Sequence, residues 1–173
     1  MKQPELITAR LLLRAFSLYD AHEVQVLSGN YNVSKTTLNI PFPYEPGMAE
    51  EWIGLHQSGW QAKTEVVYAI TVKETDKLVG AIDLVLSDES QGLLGYWIGE
   101  PYWGKGYCPE AAKALLQLAF GELALSKVYA EHLTSNPASG RVMEKIGMHH
   151  VASERKKDRN QELAEMEVYE IRN

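Results

Sequence analysis

Two glycines separated by one residue, Gly104 and Gly106, lie between the end of a predicted strand and the start of the clearest predicted helix. Glycine has no Cβ atom, so this turn can fold tightly and let a ligand approach the backbone. The amides that follow point out of the helix N-terminus, where the macrodipole places roughly half a positive charge. Such a turn is suited to binding a pyrophosphate through main-chain N–H groups, and Lys105 offers a cation beside it.

Two familiar phosphate-binding loops do not fit this segment. The dinucleotide fingerprint requires a third glycine where Pro109 stands, and the nucleotide P-loop requires Ser or Thr where Gly106 stands. A Gly-x-Gly turn before a helix also occurs in tight turns that bind nothing. The loop by itself therefore leaves both a phosphate site and a simple turn open.

Length, composition and charge exclude several classes of protein. The 173 residues, 45% hydrophobic and 23% charged, suit one domain covering residues 1–173. The net charge of −6 argues against a nucleic-acid partner, and no apolar stretch reaches the ~18–20 residues that span a bilayer. The single cysteine, Cys108, and the scattered histidines lack zinc-ligand spacing, so no metal is expected. Residues 1–9 carry no apolar signal-peptide core, which predicts a cytoplasmic protein with no membrane partner.

Hydrophobic periodicity and turn residues predict an alternation of strands and helices. Strands are predicted at 6–16, 66–72, 78–86, 93–99, 128–134, 149–154 and 163–171. Helices are predicted after the N-cap candidate Asp20, from Ala49 to Trp60, from Pro109 to Phe120 and from Pro137 to Ile146. Turns are predicted at 73–77 and 87–92, and the proline-containing segment 30–47 is predicted to form a loop.

The helix at 109–120 carries the strongest pattern. Pro109 suits its first position and Gly121 the residue just past its end. Because this helix joins two predicted strands, at least one parallel strand pair is expected inside a mixed sheet. The sequence therefore predicts an α/β fold.

Four stretches, spread over most of the chain, resemble one family in type and order. They are residues 6–14, 78–82, 95–111 and 136–148. The third contains Gly95-Tyr96-Trp97-Ile98 and Trp103-Gly104-Lys105-Gly106-Tyr107, and the fourth contains Asn136-Pro137-Ala138-Ser139. Together they resemble the GNAT superfamily of acyl-CoA-dependent N-acetyltransferases, and more closely its RimJ/RimL-type branch. The first stretch alone is common, whereas all four in this order are highly specific.

The resemblance implies the GNAT fold, a mixed central sheet with helices on both faces and with its fourth and fifth strands splayed apart. Those strands would be 93–99 and 128–134, and the pantetheine arm of acetyl-CoA, the expected cosubstrate, would lie between them. The family's pyrophosphate loop maps onto Trp103, Gly104, Lys105, Gly106, Tyr107 and Cys108. The family more often has arginine or glutamine at the first of these positions and alanine or glycine at the last. Because backbone atoms bind the phosphates, these departures do not disturb the cofactor prediction.

The resemblance also implies roles for two residues beside the loop. The backbone N–H of Ile98 would polarise the thioester carbonyl and hold the oxyanion. Asn136 would contact the cofactor, although an Asn before Pro137 is equally suited to cap the next helix.

Catalytic side chains are predicted with alternatives. Many superfamily members place a tyrosine where this chain has Met143, which cannot donate a proton. The RimJ/RimL-type branch resembles this chain in having Ser139, which would either donate a proton to the leaving sulfur or only position the cofactor. Glu131 is the preferred candidate base, ahead of Asp83 and Glu100, and a neutral amine would need no base at all.

The expected acceptor is an amine, either a protein N-terminus such as that of a ribosomal protein or a small molecule. Segment 30–47 and the first two helices would form the acceptor wall. A covalent acetyl-Cys108 intermediate is disfavoured because no partner base is evident in the sequence. The alternative to an enzyme is a non-catalytic CoA-binding sensor or assembly module on the same fold. A monomer or homodimer is expected from the family.

Overall fold

The structure, a computed structural model, describes residues 2–87 and 90–173. Within these ranges eight strands form one mixed sheet in the order β1-β2-β3-β4-β5-β6-β8-β7. The strands are β1 (Leu6–Ile7), β2 (Leu11–Arg14), β3 (Glu65–Val72), β4 (Lys77–Ser87), β5 (Gln91–Ile98), β6 (Lys127–Leu133), β7 (His149–Lys157) and β8 (Leu163–Arg172). Strands β5 and β6 pair in parallel, whereas the other neighbouring pairs are antiparallel.

Helices cover both faces of this sheet. They are α1 (Ala21–Ser28), α2 (Tyr31–Ser34), α3 (Met48–Ala62), α4 (Tyr107–Phe120) and α5 (Pro137–Lys145). Because side chains alternate along a strand, Tyr68 and Ile70 of β3 pack on the α4 side, whereas Ala69 packs with α1 and α3. We refer to these as the α4 face and the α3 face. None of the helices in the described ranges is long and apolar enough to cross a membrane.

The mixed α/β fold predicted from sequence is confirmed, with several shifts at element ends. Predicted strand 6–16 is two strands, because Thr8 and Leu11 exchange hydrogen bonds across a turn, with the Leu11 N–H donating to Thr8 Oγ1 at 2.9 Å. Helix α4 begins at Tyr107 rather than Pro109, so the proline lies inside the first turn, where its missing N–H leaves no bond unmade. The turn predicted at 87–92 includes residues 88–89, which lie outside the described ranges.

Two predictions near the first helix differ in detail from the structure. Asp20 is the N-cap residue of α1, as predicted, but its side chain makes no cap hydrogen bond; it accepts instead from both Arg14 Nη atoms, each at 2.9 Å. Segment 30–47, predicted as a loop, contains the helical turn α2, because the Asn30 side chain accepts from the Asn32 N–H at 2.8 Å.

The parallel pair β5 and β6 separates part of the way along its length. The two strands pair only from Gln91 with Lys127 to Leu94 with Ala130. Beyond that point β5 stays paired with β4 as far as Ile98, and β6 stays paired with β8 as far as Leu133. The resulting opening, which we call the cleft, lies between the two segments predicted to splay.

Candidate functional site

A cavity of about 1070 Å³ opens at the cleft. Its walls come from β3 to β6, the α2–α3 connection, the turn before α4, and α5. Nine of the ten site residues predicted from sequence line it: Ile98, Trp103, Gly104, Gly106, Tyr107, Cys108, Glu131, Asn136 and Ser139. Residues distant in sequence therefore meet at one opening, as expected for a binding site.

The turn before α4 presents unpartnered amides to this cavity. Gly104 and Gly106 have φ of +73° and +76°, values that favour glycine. Such a turn, with glycines in the left-handed region on either side of Lys105, forms a concave nest of N–H groups that suits an anion. Within the described part of the chain, the N–H groups of Gly104, Lys105, Gly106, Tyr107 and Cys108 donate to no protein acceptor. The amide of Trp103 differs, because it donates to the Glu100 carbonyl at 3.2 Å.

Behind the turn lies a polar brace that the sequence analysis did not identify. Arg10 Nη1 donates to the Lys105 carbonyl at 2.9 Å, and its Nη2 lies 2.7 Å from Glu110 Oε2. The Thr8 hydroxyl donates to the same carboxylate at 2.6 Å, and the Arg10 guanidinium lies 4.8 Å from the centre of the Tyr107 ring. Although burial acts in the opposite direction, hydrogen bonds from Thr8 and Arg10 lower the pKa of Glu110. The brace holds the turn from its rear and leaves the amides facing the cavity.

Lys105 and Cys108 have different surroundings within the turn. The Lys105 ammonium lies 5.9 Å from the centre of the Tyr102 ring, and the residue does not line the cavity. Its contact with a phosphate stays a prediction. The Cys108 side chain is buried at the start of α4, and burial raises the pKa of its thiol well above the ordinary range. A thiol held protonated in this way is a poor nucleophile.

The backbone of Ile98 faces the cleft. Gly99 N–H donates to the Val79 carbonyl at 2.9 Å, which marks a hydrogen-bonded pair between the ends of β5 and β4. Backbone groups alternate in direction along a strand, so the N–H and C=O of Ile98 point away from β4. The carbonyl accepts from the Trp103 indole N–H at 2.7 Å. The N–H is directed into the opening, where it could polarise a carbonyl group.

Ser139 is held by a tyrosine to which the sequence analysis gave no role. The Tyr96 hydroxyl lies 2.7 Å from Ser139 Oγ and 3.1 Å from the Ser139 carbonyl oxygen. Burial raises the pKa of Tyr96 well above its ordinary range, so the phenol stays protonated. Tyr96 lies within the stretch 95–111 that resembles the family, but its contact with α5 depends on how the helix packs on the sheet.

Asn136 precedes α5, but its side chain makes no capping hydrogen bond. Its Nδ2 donates instead to the Thr36 carbonyl at 3.3 Å, in the connection between α2 and α3. Asn136 therefore occupies the N-cap position of α5 without capping it through its side chain. The amide lies at the cavity wall, where a cofactor contact stays a prediction.

The three carboxylates considered as bases have different partners. Glu131 Oε1 lies 2.5 Å from the ammonium of Lys156 on β7, a partner that sequence reasoning did not find. Glu100 accepts from the Asn30 and Asn32 side chains and lies outside the cavity wall. Asp83 lines the cavity, and no N–H or O–H within residues 2–87 and 90–173 donates to its carboxylate. Burial, with a smaller contribution from the charge of Glu65, raises the pKa of Asp83 to about 7.

The family of the chain follows from these features together with its sequence. Residues 10–149 match the model of the acetyltransferase (GNAT) domain. The chain belongs to this family, and it is an acetyltransferase.

Two Bacillus subtilis relatives are similar in sequence, and the name of the first describes an N-acetyltransferase. The N-acetyltransferase YnaD of Bacillus subtilis is 31% identical over 142 residues, which cover 82% of this chain and 80% of that protein. The Bacillus subtilis protein YkkB is 32% identical over 114 residues, but this match spans only 61% of the chain and 63% of YkkB.

Solved structures are similar over nearly the whole chain. A GNAT-family acetyltransferase of Bacillus anthracis has a TM-score of 0.79 and 27% identity, with 98% of each chain covered. The microcin C7 self-immunity acetyltransferase MccE, solved with acetyl-CoA and AMP, has a TM-score of 0.87 and 18% identity, covering 99% of this chain and 98% of MccE. A Vibrio cholerae protein provisionally described as a ribosomal-protein-serine acetyltransferase has a TM-score of 0.84 and 22% identity, with complete coverage. At these lower identities the likeness concerns the fold.

Proposed function

We propose that this acetyltransferase moves the acetyl group of acetyl-CoA to a primary amine by direct attack, as a member of the RimJ/RimL-type branch. The observation that carries the proposal is the row of unpartnered amides from Gly104 to Cys108 at the mouth of a cleft that opens beside Ile98. The residues present suit a CoA molecule, because the amides can donate hydrogen bonds to a diphosphate and the opening can admit a thiol-bearing arm. Bound acetyl-CoA supplies the activated acetyl group.

Each residue of the site then has a distinct task. The Ile98 N–H hydrogen-bonds the carbonyl oxygen and stabilises negative charge as the tetrahedral intermediate forms. The Ser139 hydroxyl, 2.7 Å from the Tyr96 hydroxyl, donates to the departing sulfur. Asn136 contacts the pantetheine arm, and Trp103, Gly104, Lys105, Gly106, Tyr107 and Cys108 hold the diphosphate. The buried, protonated thiol of Cys108 favours direct transfer over an acetyl-cysteine intermediate.

Glu131 was the base predicted from sequence, and its carboxylate lies at the cavity wall. The ion pair with Lys156 at 2.5 Å occupies one of its oxygens with a cation. A role for Glu131 in binding or deprotonating the acceptor remains a proposal that the variant Glu131→Gln tests.

The acceptor is proposed to be a protein N-terminus or a small-molecule amine. The cavity extends beyond the cleft to residues of α3 and the α2–α3 connection, including Thr37, Leu38, Tyr44 and Trp52. The space between these residues leaves room for a side chain or a peptide end beside the reacting amine. The ribosomal-protein description of the Vibrio cholerae neighbour accords with a peptide acceptor.

A ligand-binding experiment tests the cosubstrate. We expect acetyl-CoA and CoA to raise the melting temperature, and ATP and NADH to leave it unchanged, because ligand that binds only the folded chain stabilises it. Replacing Gly104 and Gly106 with valine should abolish the rise, because Cβ atoms at positive φ strain the turn and obstruct the amides. The exposed carboxylate Glu122, which follows α4 at the end remote from the turn, gives a control in Glu122→Gln. Stabilisation by ATP or NADH in place of acetyl-CoA would contradict the proposal.

Turnover tests the chemistry separately. Release of free thiol from acetyl-CoA is measured with spermidine, 2-phenylethylamine and a peptide bearing an N-terminal serine. Turnover of at least one amine is expected. Tight acetyl-CoA binding with no turnover of any amine would favour the alternative, a CoA-binding sensor or assembly module.

A further inference from the structure

Asp83 lies on the α3 face of the sheet, at the point where β5 and β6 separate. It pairs with Gly95, the first residue of β5 after the last β5–β6 pair, which joins Leu94 and Ala130. A Cβ atom at position 95 would lie 2.7 Å from Asp83 Oδ1 and 3.0 Å from Oδ2. The carboxylate therefore extends across β5 in space that only a glycine leaves free, and it faces the cavity at the cleft.

Two other carboxylates around the site, those of Glu110 and Glu131, are neutralised by a cation, and that of Asp83 is not. Glu110 is paired with Arg10 at 2.7 Å and Glu131 with Lys156 at 2.5 Å. No ion pair or hydrogen bond within the described residues involves the Asp83 carboxylate. A half-buried carboxylate without a cation is costly when ionised, so a ligand cation that reaches it is favourably bound.

Charged groups surround Asp83 on several elements. Glu65 on β3 lies on the same face and is the group whose charge adds to the burial effect on Asp83. Glu51 on α3 and Glu131 on β6 line the same cavity, and the Glu131 charge is offset by Lys156 on β7. From β5 the facing residue is Gly95, which carries no charge. The α3 side of the cavity is thus acidic.

Asp83 and the proposed proton donor lie on opposite sides of the sheet. Tyr96 packs with the core of the α4 face and bonds Ser139 there. Side chains on β4 alternate, and Ile82 and Leu84 pack on the α4 face, so Asp83 projects to the α3 face. A thioester in the cleft would then have a proton donor for its sulfur on one side and an unpartnered carboxylate on the other.

We infer that Asp83 binds the ammonium group of the acceptor and takes its proton before attack, directly or through one water. This inference depends on the proposed acetyl transfer. The carboxylate gains one proton from R–NH₃⁺ and leaves a neutral amine, whose lone pair forms the C–N bond as the C–S bond breaks. The thiolate takes a proton from Ser139, and the second N–H proton restores the serine. Asp83 releases its proton to solvent, so one proton is produced for each acetyl group transferred.

Kinetics of Asp83→Asn test this role. With the amine of the panel that the wild type acetylates best, we expect kcat/KM at pH 7.5 to fall about 100-fold or more, the range for loss of a general base. The wild-type pH profile should show an inflection near 7, the pKa of Asp83, and the variant should lack it. The dissociation constant of acetyl-CoA should change less than about twofold, because Asp83 lies away from the phosphate turn. Glu122→Gln should keep both the rate and the inflection.

A second variant, Gly95→Ala, keeps the Asp83 carboxylate but displaces it. In Gly95→Ala the new methyl group meets the Asp83 oxygens at 2.7 and 3.0 Å and must displace them, so the rate should fall while acetyl-CoA binding persists. If Asp83→Asn lowers the rate but keeps the inflection near pH 7, the assignment of Asp83 is overturned. Loss of that inflection in Glu131→Gln alone would also overturn it. A wild type that turns over no amine would overturn the proposed function itself, whatever its affinity for acetyl-CoA.

Discussion

The raised pKa of Asp83 makes a prediction about stability that is independent of any acceptor. The pKa rises from an ordinary value of 3.8 to about 7 on folding, because burial and the Glu65 charge disfavour the ionised form. The folded chain therefore holds a proton that the unfolded chain has lost. Stability contributed by this proton is present below pH 3.8 and is lost as pH rises toward 7. Above that range the ionised carboxylate destabilises the fold.

The size of the effect follows from the same values. A pKa change from 3.8 to about 7 corresponds to about 4 kcal/mol of unfolding free energy once the carboxyl is ionised. The carboxylate faces a cavity that admits solvent, so we expect about 2–4 kcal/mol in practice. The variant Asp83→Asn removes this ionisation and should be more stable than the wild type at pH 8 by that amount. At pH 4 the two chains should differ by less than about 1 kcal/mol.

Urea denaturation, followed by tryptophan fluorescence at pH 4, 6 and 8, measures the difference. Glu122→Gln is the matched control, because it makes the same kind of carboxylate-to-amide change at an exposed position remote from the cleft. Equal stability of Asp83→Asn and wild type at every pH would refute the reasoning, since it would mean that folding leaves the Asp83 ionisation unaltered. A gain in stability together with a loss of activity would be the compromise expected of a residue kept for function.

Three further outcomes follow from the site. Arg10→Met should weaken acetyl-CoA binding about tenfold in calorimetry, because the brace from Glu110 to the turn is lost and a carboxylate is left unpaired; unchanged affinity would show that the turn needs no brace. Tyr96→Phe should lower kcat about tenfold with little change in acetyl-CoA affinity, since the Ser139 hydroxyl loses its 2.7 Å partner; loss of affinity with kcat retained would assign Tyr96 to cofactor binding. The Cys108 thiol should resist iodoacetamide at pH 8 by mass spectrometry, because burial raises its pKa; rapid alkylation would reopen a covalent mechanism.

Local patterns in the sequence predicted the parts of the site that consist of contiguous backbone. Gly104 and Gly106 indicated the turn because positive φ favours glycine, and both adopt it. The cleft followed from the family resemblance to segments 93–99 and 128–134, and the strand pairing ends between them as expected. The helix after the turn was predicted two residues too short, because Pro109 was placed at its first position. The N–H of any residue in the first turn of a helix lacks a backbone partner, so proline also fits the later position that it occupies here.

Side-chain partnerships were the part that sequence could not supply. Arg10 meets Glu110 across 100 residues, Lys156 meets Glu131 across 25, and Tyr96 meets Ser139 across 43. Each pairing depends on strand register and on how a helix packs, which no local pattern encodes. For the same reason, an ion-paired Glu131 and an unpartnered Asp83 looked alike as strand carboxylates in the sequence.

The short ladder between β5 and β6 has a mechanical consequence. Four residue pairs, Gln91–Leu94 with Lys127–Ala130, are the only strand-to-strand link in the described ranges between β1–β5 on one side and β6–β8 on the other. Beyond these four pairs the two half-sheets are not joined to each other. The pantetheine arm of CoA, a linear chain that contains amide groups, would bridge them when it lies in the open part of the cleft. Amide hydrogen exchange at the free ends of β5 and β6 should then slow when the arm is present, making the ligand a structural tie as well as a reactant.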